Sequence, residues 1–323
     1  MRKNVNSVRL EGKLYQSELE LKTVKDTTSA NFGKEFIQGV IHIATDENAM
    51  NVVPVHYTYV TATTKAGKPN ATYIMLKKII DDPNCAWIKG GAENALPLIV
   101  DSAIGLNEFY TEDNGTLTLV SAKRVEGGFL SQATRFNEDP EKRNSFRADM
   151  FIQSVNMVEE NEEKKIPAFL EVKGAIFNFR NDLLPISFKV TSKEGIDYFN
   201  SLDLGPANPM YVQVWGSIEC STIKEVKETK AAFGKNAVQE TTRTFRDWVI
   251  TSMADEAYDY GNEEVLTADD ITKALQAREV MLAEKKAQRE KYLAEKNSAP
   301  AATGFPVPTA APAPAVNPGG FTF

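Results

Sequence analysis

Up to about residue 250 the chain alternates apolar or β-branched residues with polar ones, the period of half-buried β-strands. Such runs cover residues 7–24, 35–43, 51–60, 96–110, 117–129, 146–157, 168–179, 185–190, 211–226 and 241–251. Between two of them Asn114-Gly115 supplies the residues that tolerate positive φ in a type I′ turn, and so predicts a tight hairpin. Only 71–80 and 193–202 have helical spacing, and each follows about three strands and precedes two more. A five-stranded Greek-key barrel of the OB type carries a helix between its third and fourth strands. The expected fold is therefore mainly β, with two tandem OB-like Greek-key barrels over 1–138 and 139–262, the boundary lying in the polar stretch around Pro140.

A five-residue echo runs through these strands. Leu10-Glu-Gly-Lys-Leu14, Val172-Lys-Gly-Ala-Ile176 and Val214-Trp-Gly-Ser-Ile218 share one alternation, and Val100-Asp-Ser-Ala-Ile104 is a degenerate fourth copy. Glycine inside a strand marks a bulge or sharp bend, which small barrels need in order to curl, although so short a pattern also recurs by chance in β proteins.

The periodicity changes at Thr267. Thr-Ala-Asp-Asp-Ile begins like a capped helix, and Glu, Lys, Ala and Arg follow without Gly or Pro to about Asn297, predicting an exposed charged helix over 263–297. Its apolar residues are too sparse for a coiled-coil seam, so the helix is expected to lie on a barrel or to project. Residues 298–323 are Ala/Pro-rich, a composition expected to stay disordered, and end in Gly319-Gly320-Phe321-Thr322-Phe323. Phe321 and Phe323 are candidate partner-binding residues; a frayed end without function is the alternative.

Composition narrows the chemistry. Two cysteines, Cys85 and Cys220, lie far apart without a CxxC spacing, which suits a reducing, cytoplasmic compartment. Neither a secretory h-region nor an apolar run of membrane-spanning length is visible. Two histidines, His42 and His56, both in predicted strands, leave little basis for His-based catalysis or metal binding. The nearest phosphate-loop lookalike, Ala62-Thr-Thr-Lys-Ala-Gly67-Lys68-Pro69, lacks the first glycine and has Pro where a hydroxyl belongs. Neither enzyme, metal nor cofactor is expected. The net charge is -7, yet it is uneven: residues 1–100 hold 12 basic against 10 acidic side chains, and residues 251–300 hold 7 against 11. A local basic groove on a near-neutral body therefore remains open.

Binding single-stranded nucleic acid needs basic side chains for phosphates and aromatic platforms for bases. Both are interleaved here. The candidate nucleic-acid-binding residues are Lys25, Phe32, Lys34, Phe36, Tyr57, Tyr59, Lys65, Lys68, Lys123, Arg124 and Arg180, followed by Lys227, Lys230, Phe233, Lys235, Arg243 and Arg246. Phe129, Phe179 and Trp215 share the interleaved segments, with Trp215 and Phe177 read as core or barrel-closure residues. Two loops echo each other, Ala30-Asn-Phe32-Gly33-Lys34 and Ala231-Ala-Phe233-Gly234-Lys235. In each, Gly permits a tight turn, the ring could stack on a base and Lys could meet a phosphate; alternatively each Phe plugs its own loop.

Residues 2–15 (Arg-Lys-Asn-Val-Asn-Ser-Val-Arg-Leu-Glu-Gly-Lys-Leu-Tyr), Ala30-Asn-Phe-Gly-Lys-Glu-Phe36 and Lys173-Gly-Ala-Ile-Phe-Asn-Phe-Arg180, with the Ala/Pro tail, carry a resemblance. The chain resembles the single-stranded-DNA-binding proteins of tailed bacteriophages. That resemblance implies OB-type folds, coating of single-stranded DNA during phage replication or recombination, and no catalysis. The layout is also similar to bacterial single-stranded-DNA-binding proteins, whose flexible linker ends in an acidic, Phe-terminated tip that recruits replication and repair enzymes. Gly-Gly-Phe-Thr-Phe lacks the aspartates, so only the terminal Phe and its carboxylate carry over. Two other roles fit the same β domains: a phage structural or assembly protein with an interaction tail, and a strand-annealing protein.

Overall fold

The computed structural model describes residues 4–113, 115–162, 166–205, 208–229, 233, 237–258 and 268–298, with the backbone alone over 221–229, 237–244, 268 and 297–298. The Ala/Pro tail with Phe321 and Phe323 lies outside the described residues, as do Lys230, Lys235 and Asn114.

The first unit contains β1 (Asn6–Thr23), β2 (Glu35–Ala44), β3 (Val52–Thr61), α1 (Ala71–Asp81), the single turn α2 (Trp87–Gly90), β4 (Pro97–Ser102), β5 (Ile104–Asp113), β6 (Thr116–Glu126) and β7 (Phe129–Gln132). Its strands close on themselves. β1 pairs with β2, β2 with β3, β3 runs parallel to β6, β6 pairs with β5, and β4, separated from β5 only by Ala103, returns to β1. The second unit repeats the circuit with β8 (Asn144–Val158), β9 (Phe169–Phe177), β10 (Leu183–Val190), α3 (Lys193–Ser201), β11 (Met210–Thr229) and β12 (Ala237–Met253). There β8 pairs with β9, β9 with β10, β10 runs parallel to β12, β12 pairs with β11, and β11 returns to β8. Helices α1 and α3 sit between the third and fourth strands of their units, and α4 (Ala268–Ser298) follows. The protein is mainly β, with two Greek-key barrels of OB topology and a C-terminal helix.

Local chemistry sets these elements. Asn70 caps α1 by accepting the Thr72 N–H at 3.1 Å, and Leu76 and Ile79 seat the helix against the barrel core. Ser192 caps α3 by accepting the Gly195 N–H at 3.2 Å. Asp113 pairs with Thr116 as the last pair of β5 and β6, and Gly115 between them has φ +79°.

The five-residue echo is half structural. Val100–Ile104 runs from the end of β4 across Ala103 to the start of β5 and Val214–Ile218 lies on β11, the corresponding strand of the second barrel, whereas Leu10–Leu14 lies on a first strand and Val172–Ile176 on a second. All eight apolar end residues are buried. At Gly216, beside a bulge in the β11–β12 ladder, a Cβ would stand 1.8 Å from the Val249 carbonyl oxygen, so the close strand approach requires glycine.

The barrels join through their first strands. On one edge β1 pairs with β8 over residues 6–10 and then transfers to β2, while β8 transfers from β1 to β9. Val8 opposite Phe146 marks the centre of this exchange, and a continuous sheet β7–β4–β1–β8–β11–β12 passes through both units. One apolar cluster accordingly draws residues from both barrels. Side chains lock the junction: the Asn51 amide donates to the Ile218 carbonyl at 3.0 Å and its oxygen accepts the Cys220 N–H at 2.9 Å. The carboxylate of Asp149, fully buried, accepts from the Val5 N–H, the Gln213 amide and the Tyr258 hydroxyl at 2.8 to 2.9 Å.

Helix α4 lies across both barrels. Its Ile271 and Ala274 pack on a small cluster of Phe151, Ala175, Phe177, Leu183 and Tyr211 in the second barrel. Arg278 forms a buried two-pronged ion pair with Glu108 of β5 and also reaches the Leu183 carbonyl of β10 at 3.5 Å. Lys285 donates to the Glu108 carbonyl at 3.2 Å. Of the two placements expected for this helix, the structure adopts the docked one.

Candidate nucleic-acid interface

The hairpin loop 24–34 and the β3–α1 loop 62–70 leave the same edge of the first barrel, because Phe36 pairs with Thr61 where β2 and β3 meet that edge. Lys25, Lys34, Lys65 and Lys68 are exposed there, and only Lys34 has a local partner, the Asn31 side chain at 3.0 Å. Among the described residues no carboxylate pairs with any of the four. Phe32 is 56% exposed, held by a turn in which its N–H donates to Ser29 and Gly33 takes φ +78°. It is not a plug. Phe36 lies against Tyr59 with ring centroids 4.7 Å apart, and the Tyr59 ring is exposed, so the pair offers a ready aromatic surface beside the loop lysines.

The second barrel meets β2 and β3 further along, toward the Asn51 turn. Its long β11–β12 hairpin carries Arg246 over β2 and β3, close to both His42 and His56. Burial is the main reason both imidazoles lie below the usual histidine range, and the Arg246 guanidinium acts in the same direction. Arg246 also bonds Cys220, whose thiol burial pushes up to about 11 while Arg246 opposes the shift. Further out on the hairpin, Lys227 faces Gln239 and Arg243 faces Ile223 in the backbone register, and Phe233 at the tip is 92% exposed. Phe233 is no plug either.

Four candidates are placed differently. Tyr57 points into the first barrel, 3% exposed, in line with Val53 and Val55, so its ring cannot stack on a ligand. Lys123 is caught between the barrels, donating to the Ser187 carbonyl with its ammonium 5.7 Å from the centre of the Phe188 ring. Its ammonium is already engaged there. Arg124 is committed to Glu126 through two contacts of 2.9 and 3.2 Å. Arg180 is exposed but remote from loop 24–34, lying 5.2 Å over the Phe179 ring on the β9–β10 turn.

Lys123 gives a test of this geometry. Burial, against a partial gain from Asp247, lowers its pKa to about 8. Between pH 8 and 10 the unfolded chain then binds more protons at this site than the folded one, so this lysine makes stability rise with pH by about 2 kcal/mol. Cys220, raised, works in the opposite sense from about pH 9. Urea midpoints measured across this window should therefore climb more steeply in the wild type than in Lys123→Met; parallel curves would refute the burial of that amine.

A cleft of about 2000 Å³ opens between the barrels and α4. Its lining includes Phe129, Phe179 and Trp215 together with Arg9, Arg143 and Arg147. The three aromatics fall in the interleaved segments of the sequence, with Trp215 read as core, whereas Arg9, Arg143 and Arg147 were not singled out. The available signal was the outward register of Arg9 and Arg147 between buried Val8, Leu10, Phe146 and Ala148.

With this geometry described, comparison with known proteins places the chain. The family model YorF matches residues 4–288. The chain belongs to the YorF family. No curated protein matches this family member. Among solved structures, the wild-type single-stranded DNA binding protein from Thermus aquaticus is 11% identical, with a TM-score of 0.44 over 82% of this YorF-family chain and 98% of the other. A deletion mutant of the same Thermus aquaticus protein gives 11% identity and a TM-score of 0.42 over 82% and 100%. At TM-scores below 0.5 the fold of this family member rests on its own strand pairing. Among the described residues no helix is long and apolar enough to cross a membrane, and no cluster of three His, Cys, Asp or Glu side chains is arranged to hold a metal ion.

Proposed function

We propose that this protein binds single-stranded DNA without strict sequence preference, in replication or recombination, and that the β2–β3 edge of the first barrel is a principal contact. The observation that carries the proposal is the gathering there of exposed Phe32 and the Phe36–Tyr59 pair among four lysines that no carboxylate neutralises. An apolar ring held in solvent loses free energy unless something covers it, and a base does so while its phosphate meets a neighbouring cation. Exposed Arg246 of the second barrel lies beside His42 and His56 on the same two strands, which supports reading the two barrels as one binding body. The division into residues 1–138 and 139–262 belongs to the same proposal, with α4 a clamp across both units. Origin in a tailed bacteriophage, and recruitment of replication or recombination proteins by the C-terminal tip, accord with the sequence resemblance.

Phe32→Ala is expected to weaken oligo(dT) binding about tenfold, within the range for one stacked base, and to leave the circular dichroism spectrum and urea midpoint unchanged because the ring packs on nothing essential. Unchanged affinity would remove Phe32 from the interface. Unfolding of the variant would restore the plug model.

A further inference from the structure

The sheet that joins the barrels has an outer face that the first-barrel edge does not explain. Register fixes its composition. On one row Phe129 of β7 stands opposite Asp101 of β4, Asp101 opposite Arg9 of β1, and Arg9 opposite Ser145 of β8. On the next row Ser7 of β1 stands opposite Arg147 of β8, and Arg147 opposite Trp215 of β11. Ser7 and Arg9, like Ser145 and Arg147, are two apart on their strands and so share a face, while Val8, Leu10, Phe146 and Ala148 between them are buried. Phe129 at one end is 81% exposed, and Trp215 at the other is half-buried. Four strand spacings, about 19 Å, separate the two aromatic positions.

The charges on this face are not symmetrical. Asp101 and Glu11 are taken up by Arg9, at 2.7 and 2.8 Å. Among the described residues no carboxylate pairs with Arg147. Arg143, which borders the same cleft, donates to the Asn137 carbonyl at 2.7 Å and interacts with the Asp139 carboxylate. Arg147 is therefore the uncompensated guanidinium of the row, and Ser7 and Ser145 form the floor beside it between the two aromatic rings. Serine side chains are short, so a planar base can lie across the floor without collision, and its phosphate falls within reach of Arg147.

We propose that this outer face of the joined sheet is a second track for single-stranded nucleic acid, with Phe129 and Trp215 as base platforms and Arg147 as a phosphate contact. The charge complementarity of Arg147 to a phosphodiester chain favours a nucleic-acid strand over a second copy of this protein, for which the face offers only two separated rings. The inference rests on the single-strand-binding proposal above, but on different residues.

Tryptophan emission of the full chain tests it directly, because Trp248 is buried in the second barrel and Trp87 is partly covered by Tyr15 and Lys13, leaving Trp215 to respond to a bound base. A long oligo(dT) is expected to quench emission, and Trp215→Phe to lose that quench while still binding the labelled oligonucleotide in an anisotropy titration. Phe129→Ala combined with Arg147→Ala is expected to weaken binding of the long oligonucleotide about tenfold, with an unchanged circular dichroism spectrum. Binding that persists with a full quench in Trp215→Phe and within twofold affinity in the double variant would overturn the second track and leave the first-barrel edge intact. No binding by the wild type at low salt would overturn both proposals. A wild-type dimer in sedimentation that the double variant dissociates would reassign the face to self-association.

Discussion

Replacing Arg278 with methionine is expected to loosen α4 from the barrels by about 3 kcal/mol. The guanidinium neutralises Glu108 in a site where both side chains are largely out of water, and it also satisfies the Leu183 carbonyl of the second barrel. Removing it strands a buried carboxylate, which is far costlier than losing an exposed ion pair. Undocking the helix would rehydrate Glu108, so the loss should appear first as faster amide exchange along α4 and only partly in the urea midpoint of the barrels. The double variant Arg278→Met with Glu108→Met should recover most of the protection, since an apolar pair of similar volume needs no compensation. If the double variant is as loose as the single one, the ion pair is not what holds the helix.

Gly216→Ala should cost on the order of 3 kcal/mol, an unusually large effect for one added methyl group. The new Cβ would fall 1.8 Å from the Val249 carbonyl oxygen, a backbone atom with no rotamer to escape into. Val249 in turn pairs with Lys189 of β10, so moving β12 to make room disturbs the parallel contact that closes the second barrel. Gly205→Ala is the control: nothing lies within 4 Å of its Cβ position, and its midpoint should stay within about 0.5 kcal/mol of the wild type. Similar losses in both would show that the close strand approach at Gly216 is not the source of the cost.

The fold was legible where local chemistry and the global circuit agree. Alternation located every long strand, Asn114-Gly115 marked the hairpin that joins β5 and β6, and helical spacing placed α1 and α3 between strands. The break at Ala103 and the separate β7 were not visible, because both depend on which distant strand takes the pairing. The transfer of β1 from β8 to β2 is of the same kind. Like the hydrogen bonds of Asn51 and Asn144 with Ile218, it joins residues far apart in sequence.

Site residues divide along the same line. Phe32 and Phe233 were identifiable because an aromatic beside a turn glycine has no strand neighbour to cover it. Tyr57 could have been excluded by strict period two, since it follows Val53 and Val55 on the inward side while Thr58 faces out. Lys123 could not. On its own strand it is a surface lysine, and only the docking of the second barrel against β6 buries it.

The central claim, that the exposed rings and lysines of the barrels bind single-stranded DNA, is tested most directly by titrating the full chain with labelled oligo(dT) and with a duplex of equal length, from low to physiological salt. The account predicts tight binding of the single strand at low salt, affinity falling linearly on a logarithmic scale as salt rises, and much weaker binding of the duplex, whose stacked bases cannot reach Phe32 or Tyr59. Equal affinity for both, or no binding of oligo(dT) at low salt, would contradict it.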